Sequence, residues 1–274
     1  MQRSILITGC SSGIGLACAR VMKERGWRVI ATARKSRDLE MLRTVIGVET
    51  LHLELADPVS VTACAQEALR LTGGRLDALF NNAAYGQVGA VEDLTADVLR
   101  RQLEVNLINT HELTRCIIPA MRRQGSGRIV QCSSVLGFVS APYRGAYCAS
   151  KFALEALSDS LRLELEGTGI HVSLIEPGPI YSRFVEHAMA NFLETVAIDR
   201  SPHRATYEAR LARMRQGGTD RFKLEPEAVA TRLVHAVEAR RPKVRYYVTT
   251  PTYLAAALRR IAPCSVTDWF VRKM

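Results

Sequence analysis

The segment Tyr147-Cys148-Ala149-Ser150-Lys151 holds the residue types best suited to acid–base chemistry in this chain. On a helix, Tyr147 and Lys151 stand four residues apart on one face, with Cβ atoms about 6 Å apart. A phenol releases its proton near pH ~10. A neighbouring ammonium stabilises the phenolate and lowers that value. The pair is therefore a route to a tyrosine that exchanges a proton near neutral pH. Ser134, earlier in the chain, adds a hydroxyl able to hold a carbonyl oxygen. Near the start, Thr8-Gly9-Cys10-Ser11-Ser12-Gly13-Ile14-Gly15 has the make-up of a turn that cradles a dinucleotide pyrophosphate at a helix N-terminus. Gly9 permits the tight turn, Gly13 lets a cofactor approach the backbone, and Gly15 allows close helix–strand packing. A nucleotide site beside an activated tyrosine points to hydride transfer to or from a carbonyl or alcohol.

These groups must be positioned by a regular scaffold, and the hydrophobic pattern supplies one. Short apolar runs at Ser4–Thr8, Arg28–Thr32, Glu49–Leu53, Ala78–Asn81, Gly127–Cys132, His171–Glu176 and Arg245–Thr249 read as strands. Helical spacing is expected near 13–25, 37–45, 58–72, 96–123, 145–166 and 225–239. Alternating strands and helices, with strands apolar throughout, predict an α/β fold. Its core is a doubly wound parallel sheet of about seven strands, a Rossmann fold with helices on both faces. The glycine turn then lies between a strand and a helix, the context it needs. With no linker, repeat or low-complexity tract, residues 1–274 read as a single domain.

The residues after the second strand bear on the cofactor. A carboxylate there would accept from the ribose 2′-hydroxyl of NAD. The chain has Ala33-Arg34-Lys35 instead, and Arg34 can pair bidentately with a 2′-phosphate, with Ser12 adding a hydroxyl. This favours NADP (NADPH) over NAD, the competing reading being that Arg34 and Lys35 form only a solvated turn.

With these motifs in order, the chain resembles the short-chain dehydrogenase/reductase family across at least residues 4–182. The shared features are the TGxxxGIG turn, Asn81-Asn82-Ala83, Asn106, Ser134, Tyr147-x3-Lys151 and Pro177-Gly178. The resemblance implies that Tyr147 protonates the carbonyl oxygen or deprotonates the alcohol, and that Ser134 hydrogen-bonds that oxygen. Lys151 would hold the nicotinamide ribose and lower the tyrosine pKa, and Asn106 would hold a water relaying protons to Lys151. It further implies cofactor contacts from Thr8, Gly9, Ser11, Ser12, Gly13, Ile14 and Gly15. Asn82 and Ala83 would line the adenosine ribose. Pro177, Gly178 and Ile180 would approach the nicotinamide, with Ser182 on its carboxamide. Ala84 and Asn109 stand where relatives usually have glycine. Glu54 replaces a frequent adenine-binding aspartate, which leaves the adenine contact to Glu54 or to the backbone of Leu55. Pro177-Gly178-Pro179-Ile180-Tyr181-Ser182-Arg183-Phe184 resembles the hydroxysteroid- and retinol-dehydrogenase-like branch and related bacterial aldehyde reductases. The implied function is NADP-dependent interconversion of a lipophilic aldehyde or ketone and its alcohol. The alternative is a non-catalytic NADP-binding sensor or scaffold. A homodimer or homotetramer built on the helices near 96–123 and 145–166 is implied as well.

Two segments break the strand–helix rhythm. Within 179–223, Phe184, Val185, Ala188, Met189, Phe192, Leu193 and Val196 form an apolar stripe. It suits either a helix packed on the body or a lid over an apolar substrate pocket. The tail, 251–274, mixes Tyr253, Leu254, Leu258, Ile261, Trp269 and Phe270 with arginines. It suits folding back on the domain or a weak peripheral membrane contact. Net charge is +10, but the basic residues are dispersed and lack aromatic interleaving, so nucleic acid is not expected as a partner. The seven cysteines form no CxxC pair and the six histidines are scattered, so neither a disulfide framework nor a metal site is expected. No signal peptide or membrane span is expected, and the reading is cytoplasmic.

Overall fold

The computed structural model describes residues 2–215 and 222–273. Seven strands form one sheet: β1 (Ser4–Ile7), β2 (Arg28–Ala33), β3 (Glu49–His52), β4 (Ala78–Asn81), β5 (Gly127–Cys132), β6 (Ile170–Glu176) and β7 (Arg245–Tyr247). Their order is β3-β2-β1-β4-β5-β6-β7, and every neighbouring pair is parallel. The chain winds outward from β1 to β3, then restarts on the other side of β1 with β4. The junction of β1 and β4 is thus the switch point, where ligands bind in open α/β sheets.

The apolar strands are buried because helices cover both faces. Ile5, Ile7, Ala31, Phe80 and Val130 face α1 (Gly13–Glu24) and α9 (Glu227–Glu238). Leu6, Ile30, Leu79, Ile129 and Val172 point the other way, toward α3 (Pro58–Leu71) and α5 (Asn109–Gln124). This is the two-residue alternation of a pleated strand with both faces apolar. The start of α3 is set locally: Asp57 accepts a hydrogen bond from Val59 N at 2.9 Å, and Pro58 occupies the first turn.

Three expected elements differ in detail. The helix expected near 96–123 is divided into α4 (Ala96–Leu103) and α5 by a π turn over Glu104–Ile108, which turns Asn106 into the interior. The one near 37–45 is α2 (Ser36–Met41) followed by a second π turn, Leu42–Ile46. The last strand stops at Tyr247, because Thr249 caps the next helix and Pro251 lies in its first turn.

The remaining helices are α6 (Gly145–Glu164), α7 (Phe184–Thr195), α8 (Arg204–Arg215), α10 (Thr250–Ile261) and α11 (Cys264–Lys273). The apolar stripe on α7 splits. Ala188, Phe192 and Val196 are buried with Val88, Ala90 and Tyr207, whereas Val185 and Leu193 are exposed. Residues 216–221 of the expected lid lie outside the described residues. The tail folds back: Ala255 of α10 and Val271 of α11 pack with Val135 and Val139, in the loop after β5. Tyr253, Leu254, Ile261 and Trp269 point outward. No helix among the described residues is long and apolar enough to cross a membrane.

Candidate active site

The residues singled out in the sequence gather along the C-terminal edge of the sheet. Thr8 follows β1, Arg34 follows β2, Asn82 and Ala83 follow β4, Ser134 follows β5 and Pro177 follows β6. The glycine turn is built for close approach. Gly9 has φ +72° and Gly13 has φ +55°, conformations that favour glycine. A Cβ on Gly9 would come within 2.9 Å of the Ala83 backbone. One on Gly15 would meet the Gly9 carbonyl and, at 2.7 Å, the Asn82 amide. One on Gly13 would stand 3.0 Å from Ser182 Cβ, so Ser182 lies directly over the turn. The turn opens α1, whose first turn carries no acidic residue. The Ser11 and Ser12 hydroxyls make no hydrogen bond within the protein among the described residues, and Ser12 does not spend its side chain as a cap. A helix N-terminus with free hydroxyls and no carboxylate fits the diphosphate of a dinucleotide.

Several of the expected cofactor residues also serve as scaffold. The Thr8 hydroxyl accepts from Asn82 N and Ala83 N, both at 2.9 Å, and Asn82 Nδ2 donates to the Thr8 carbonyl at 2.9 Å. These bonds fix the switch point between β1 and β4. Arg34 is exposed and its guanidinium lies 3.7 Å from Glu54. Glu54 in turn accepts from Ala56 N at 3.0 Å. The carbonyl of Leu55 is taken by Asn109 Nδ2 at 2.8 Å, so its amide is the group left for a ligand. Ile180 packs against the core beside α9 and bridges to Leu224. Gly178 has no room for a side chain, because Thr249 and Thr252 fill the space beneath it.

Ser134, Tyr147 and Lys151 converge behind this cradle. Ser134 Oγ accepts from Leu136 N at 3.1 Å and lies 3.5 Å from the Pro177 carbonyl, a weak contact that leaves its proton available. Tyr147 and Lys151 sit on α6 at the expected spacing, and both are buried. Burial pushes the Tyr147 phenol well above its ordinary value, opposed by a hydrogen bond with Ser134 and by the charge of Arg144. Lys151 is buried too, which lowers its own pKa. Its ammonium donates to the Cys132 carbonyl at 2.7 Å and stands 5.8 Å from the tyrosine ring. Burial thus acts against the lowering expected from the Lys151 ammonium.

Asn106 is buried in the π turn and its side chain is fully engaged. Oδ1 accepts from Tyr85 N at 3.1 Å, while Nδ2 donates to the Tyr85 carbonyl at 2.9 Å and to Ser150 Oγ at 3.2 Å. The expected water, if held by Asn106, must use its main-chain carbonyl.

Phe184, named in the sequence as part of a possible lid, meets this site, and two further features were not read from the sequence. Phe184 lies edge-on against Tyr147, with ring centroids 5.4 Å apart. Arg144 stands one helical turn before Tyr147, a spacing that could have drawn notice. A buried charge network lies behind the site. Arg245 of β7 contacts Glu155 of α6, donates to Glu176 of β6 at 2.6 Å and to Asp159 of α6 at 2.5 Å. Burial and the nearby Glu155 raise the Glu176 carboxyl to about 8. Glu155 falls one turn after Lys151, but nothing in the local sequence links it to Arg245.

Comparison with known proteins agrees with this geometry. Residues 3–191 match the family model described as short chain dehydrogenase. The chain is 42% identical over 268 residues to the uncharacterized oxidoreductase YbbO of Escherichia coli strain K12, covering 98% of this chain and 93% of that protein. It is 37% identical over 260 residues to human 17-beta-hydroxysteroid dehydrogenase type 1, covering 89% of this chain and 77% of the relative. Among solved structures, a short-chain dehydrogenase/reductase from Burkholderia phymatum in complex with NAD superposes with a TM-score of 0.80. It is 26% identical and covers 95% of this chain and 92% of that one.

Proposed function

The chain belongs to the short-chain dehydrogenase/reductase family of oxidoreductases, and we propose that within it the protein is an NADP(H)-dependent enzyme interconverting a lipophilic aldehyde or ketone and its alcohol. The observation that carries the reading is the convergence of Ser134, Tyr147 and Lys151 beside the Gly9–Gly15 turn. The bound dinucleotide supplies or accepts the hydride. Ser134 Oγ donates to the substrate oxygen and orients it. Tyr147 gives its proton to that oxygen as it becomes an alkoxide, or takes it back from the alcohol in reverse. Lys151, anchored on the Cys132 carbonyl, holds the ribose side and keeps a positive charge near the phenolate that forms. Asn106 fixes the Tyr85 loop against α6. Retention of both Tyr147 and Lys151 weighs against a non-catalytic sensor.

Preference for NADP rests on Arg34 and Lys35 after β2, with no carboxylate at the end of that strand; the Burkholderia relative bound NAD. Lipophilicity rests on Phe184 against Tyr147 and on the steroid substrate class named for the human relative. On this reading α7 and α8 form a cover over the substrate side. The enzyme works in the cytoplasm as a homodimer or homotetramer built on α4, α5 and α6, with Leu157 and Leu163 of α6 exposed.

NADPH consumption measured with straight-chain aldehydes, retinal and ketosteroids tests the reading. At least one class should be reduced, with NADH a poorer donor. No turnover across the panel, or equal use of NADH, would reject it in substrate class or in cofactor.

A further inference from the structure

Near Tyr147 stands Arg144, with Arg210 close to it, and neither has an acidic partner among the described residues. Arg144 precedes α6 by one residue and is half-buried. Arg210 comes from α8 and stacks over the Tyr143 ring, its guanidinium carbon 4.3 Å from the centroid. Neither makes a side-chain hydrogen bond or ion pair among the described residues. Elsewhere on the same helix the pattern is ordinary: Arg204 bonds Glu208 at 2.8 Å and lies 3.3 Å from Asp199. The carboxylates of the neighbouring loop are already committed. Glu92 bonds His203 at 2.6 Å, and Asp93 accepts from Ser201 at 2.6 Å and from Tyr207.

The backbone that presents Arg144 is held in an unusual shape. Tyr143 has φ +65°, in the left-handed region that a bulky residue rarely adopts. It is secured there by Gly89 N, which donates to the Tyr143 carbonyl at 3.1 Å, and by a bridge from Gly89 to Arg144. Backbone strain of this kind persists where the surroundings enforce it, commonly at ligand sites. Burial and the nearby Arg210 both act against the charge on Arg144, while the Tyr147 side chain is close enough to sense it. Arg144 is partly desolvated and faces the exposed Arg210 with no carboxylate partner among the described residues, a charge that an anion would complete.

We propose that Arg144 and Arg210 form an anion subsite beside Tyr147, so that the substrate carries a carboxylate or phosphate in addition to its reacting carbonyl. This rests on the carbonyl-reductase reading above and narrows it. Arg144 reaches the site from the end of α6 that also carries Tyr147, so the anion and the carbonyl are read by one rigid element. Arg210 sits on the segment after α7, so an anionic substrate ties that segment to the body. The two guanidiniums offer planar donor forks, the geometry that carboxylate and phosphate accept bidentately.

The test pairs oxo acids with their neutral counterparts. The kcat/KM values for 4-oxobutanoate, 6-oxohexanoate and 9-oxononanoate are compared with those of their methyl esters, and 3-oxopropyl phosphate serves as the phosphate arm. The wild-type protein should prefer at least one anion by about tenfold or more, the scale of one charge-assisted hydrogen bond. Arg144→Gln should bring that ratio near one and Arg210→Gln should reduce it. Binding of succinate and of inorganic phosphate by calorimetry gives a readout independent of turnover, and should weaken in Arg144→Gln. Reduction of the esters with no anion preference at any length overturns the subsite and leaves the reductase reading standing. Anion binding lost in Arg144→Gln, without turnover of any carbonyl, keeps the subsite and rejects the reductase reading. A preference that survives both substitutions also overturns the assignment to these arginines.

Discussion

Replacing Arg245 with methionine tests the charge network behind the site. The guanidinium joins β7 to Glu155 and Asp159 of α6 and to Glu176 at the end of β6. Glu176 is fully buried and the Glu155 side chain is nearly so. Methionine fills much of the arginine stem's volume, so the loss is chiefly of charge. Removing one partner of a buried ion pair costs about 3–5 kcal/mol, because it strands the others. At about 2.1 cal/mol/K of unfolding entropy per residue, a 274-residue chain converts that into a fall of about 5–9 °C in Tm. The cost should depend on pH. Glu176 already titrates near 8 with the arginine present, as burial and Glu155 raise it from 4.5. Without the arginine, both carboxyls rise further. At pH 5.5 Glu176 is protonated and the loss is smaller; at pH 8.5 its charge must be buried beside Glu155 or the fold gives way. Urea unfolding of both proteins at pH 5.5, 7 and 8.5 gives the comparison. A loss below about 1 kcal/mol at pH 8.5, or an equal loss at all three values, would refute the view that these carboxylates depend on Arg245.

The wild-type protein carries a related pH signature. Because the folded Glu176 holds its proton between about 4.5 and about 8 while the unfolded group releases it, stability should fall as pH rises through that window. The slope is at most about 1.4 kcal/mol per pH unit, and unfolding free energies that rise across it would contradict the assignment. Tyr147→Phe should leave NADPH binding intact and cut kcat by far more than tenfold, since only the phenol proton is lost; single-turnover rates beside cofactor titrations decide this. Arg34→Ala should weaken NADPH by about 1.5–3 kcal/mol and leave NADH nearly unchanged. Glu54→Gln should improve NADPH severalfold by freeing the same guanidinium, and calorimetry with both cofactors checks each. Phe192→Asp should lower Tm and depress all substrates alike, because Phe192 is packed between Val88, Ala90 and Tyr207. By contrast, Phe184→Ala, beside Tyr147, should flatten the rise of kcat/KM with aldehyde chain length at little cost in Tm. The reverse pattern would exchange the roles of the two phenylalanines.

Local pattern was enough for much of this protein. Short runs such as Ser4–Ile7, bounded by turn residues and alternating with helical patterns, suit strands covered on both faces, so the parallel sheet was legible in the pattern. The glycine turn, Ser134, and Tyr147 with Lys151 were legible because their chemistry depends on spacing within one element or on an element boundary. What depends on groups distant in sequence was not legible. Burial of Tyr147, which pushes its phenol upward, comes from the packed fold and not from the local sequence. Asn106 turns out to be a loop clamp because the π turn aims it at Tyr85, a geometry that no helical periodicity encodes. The apolar stripe of α7 is continuous in sequence, yet Phe184 meets Tyr147 while Phe192 meets Tyr207. Arg245 finds Glu155 and Glu176, 90 and 69 residues away, only because β6, β7 and α6 pack together. Sequence specifies which groups are present and the period on which they repeat. Desolvation and partnership are properties of the packed chain, and these decided the surroundings of the tyrosine, the partners of Arg245 and the neighbours of the site.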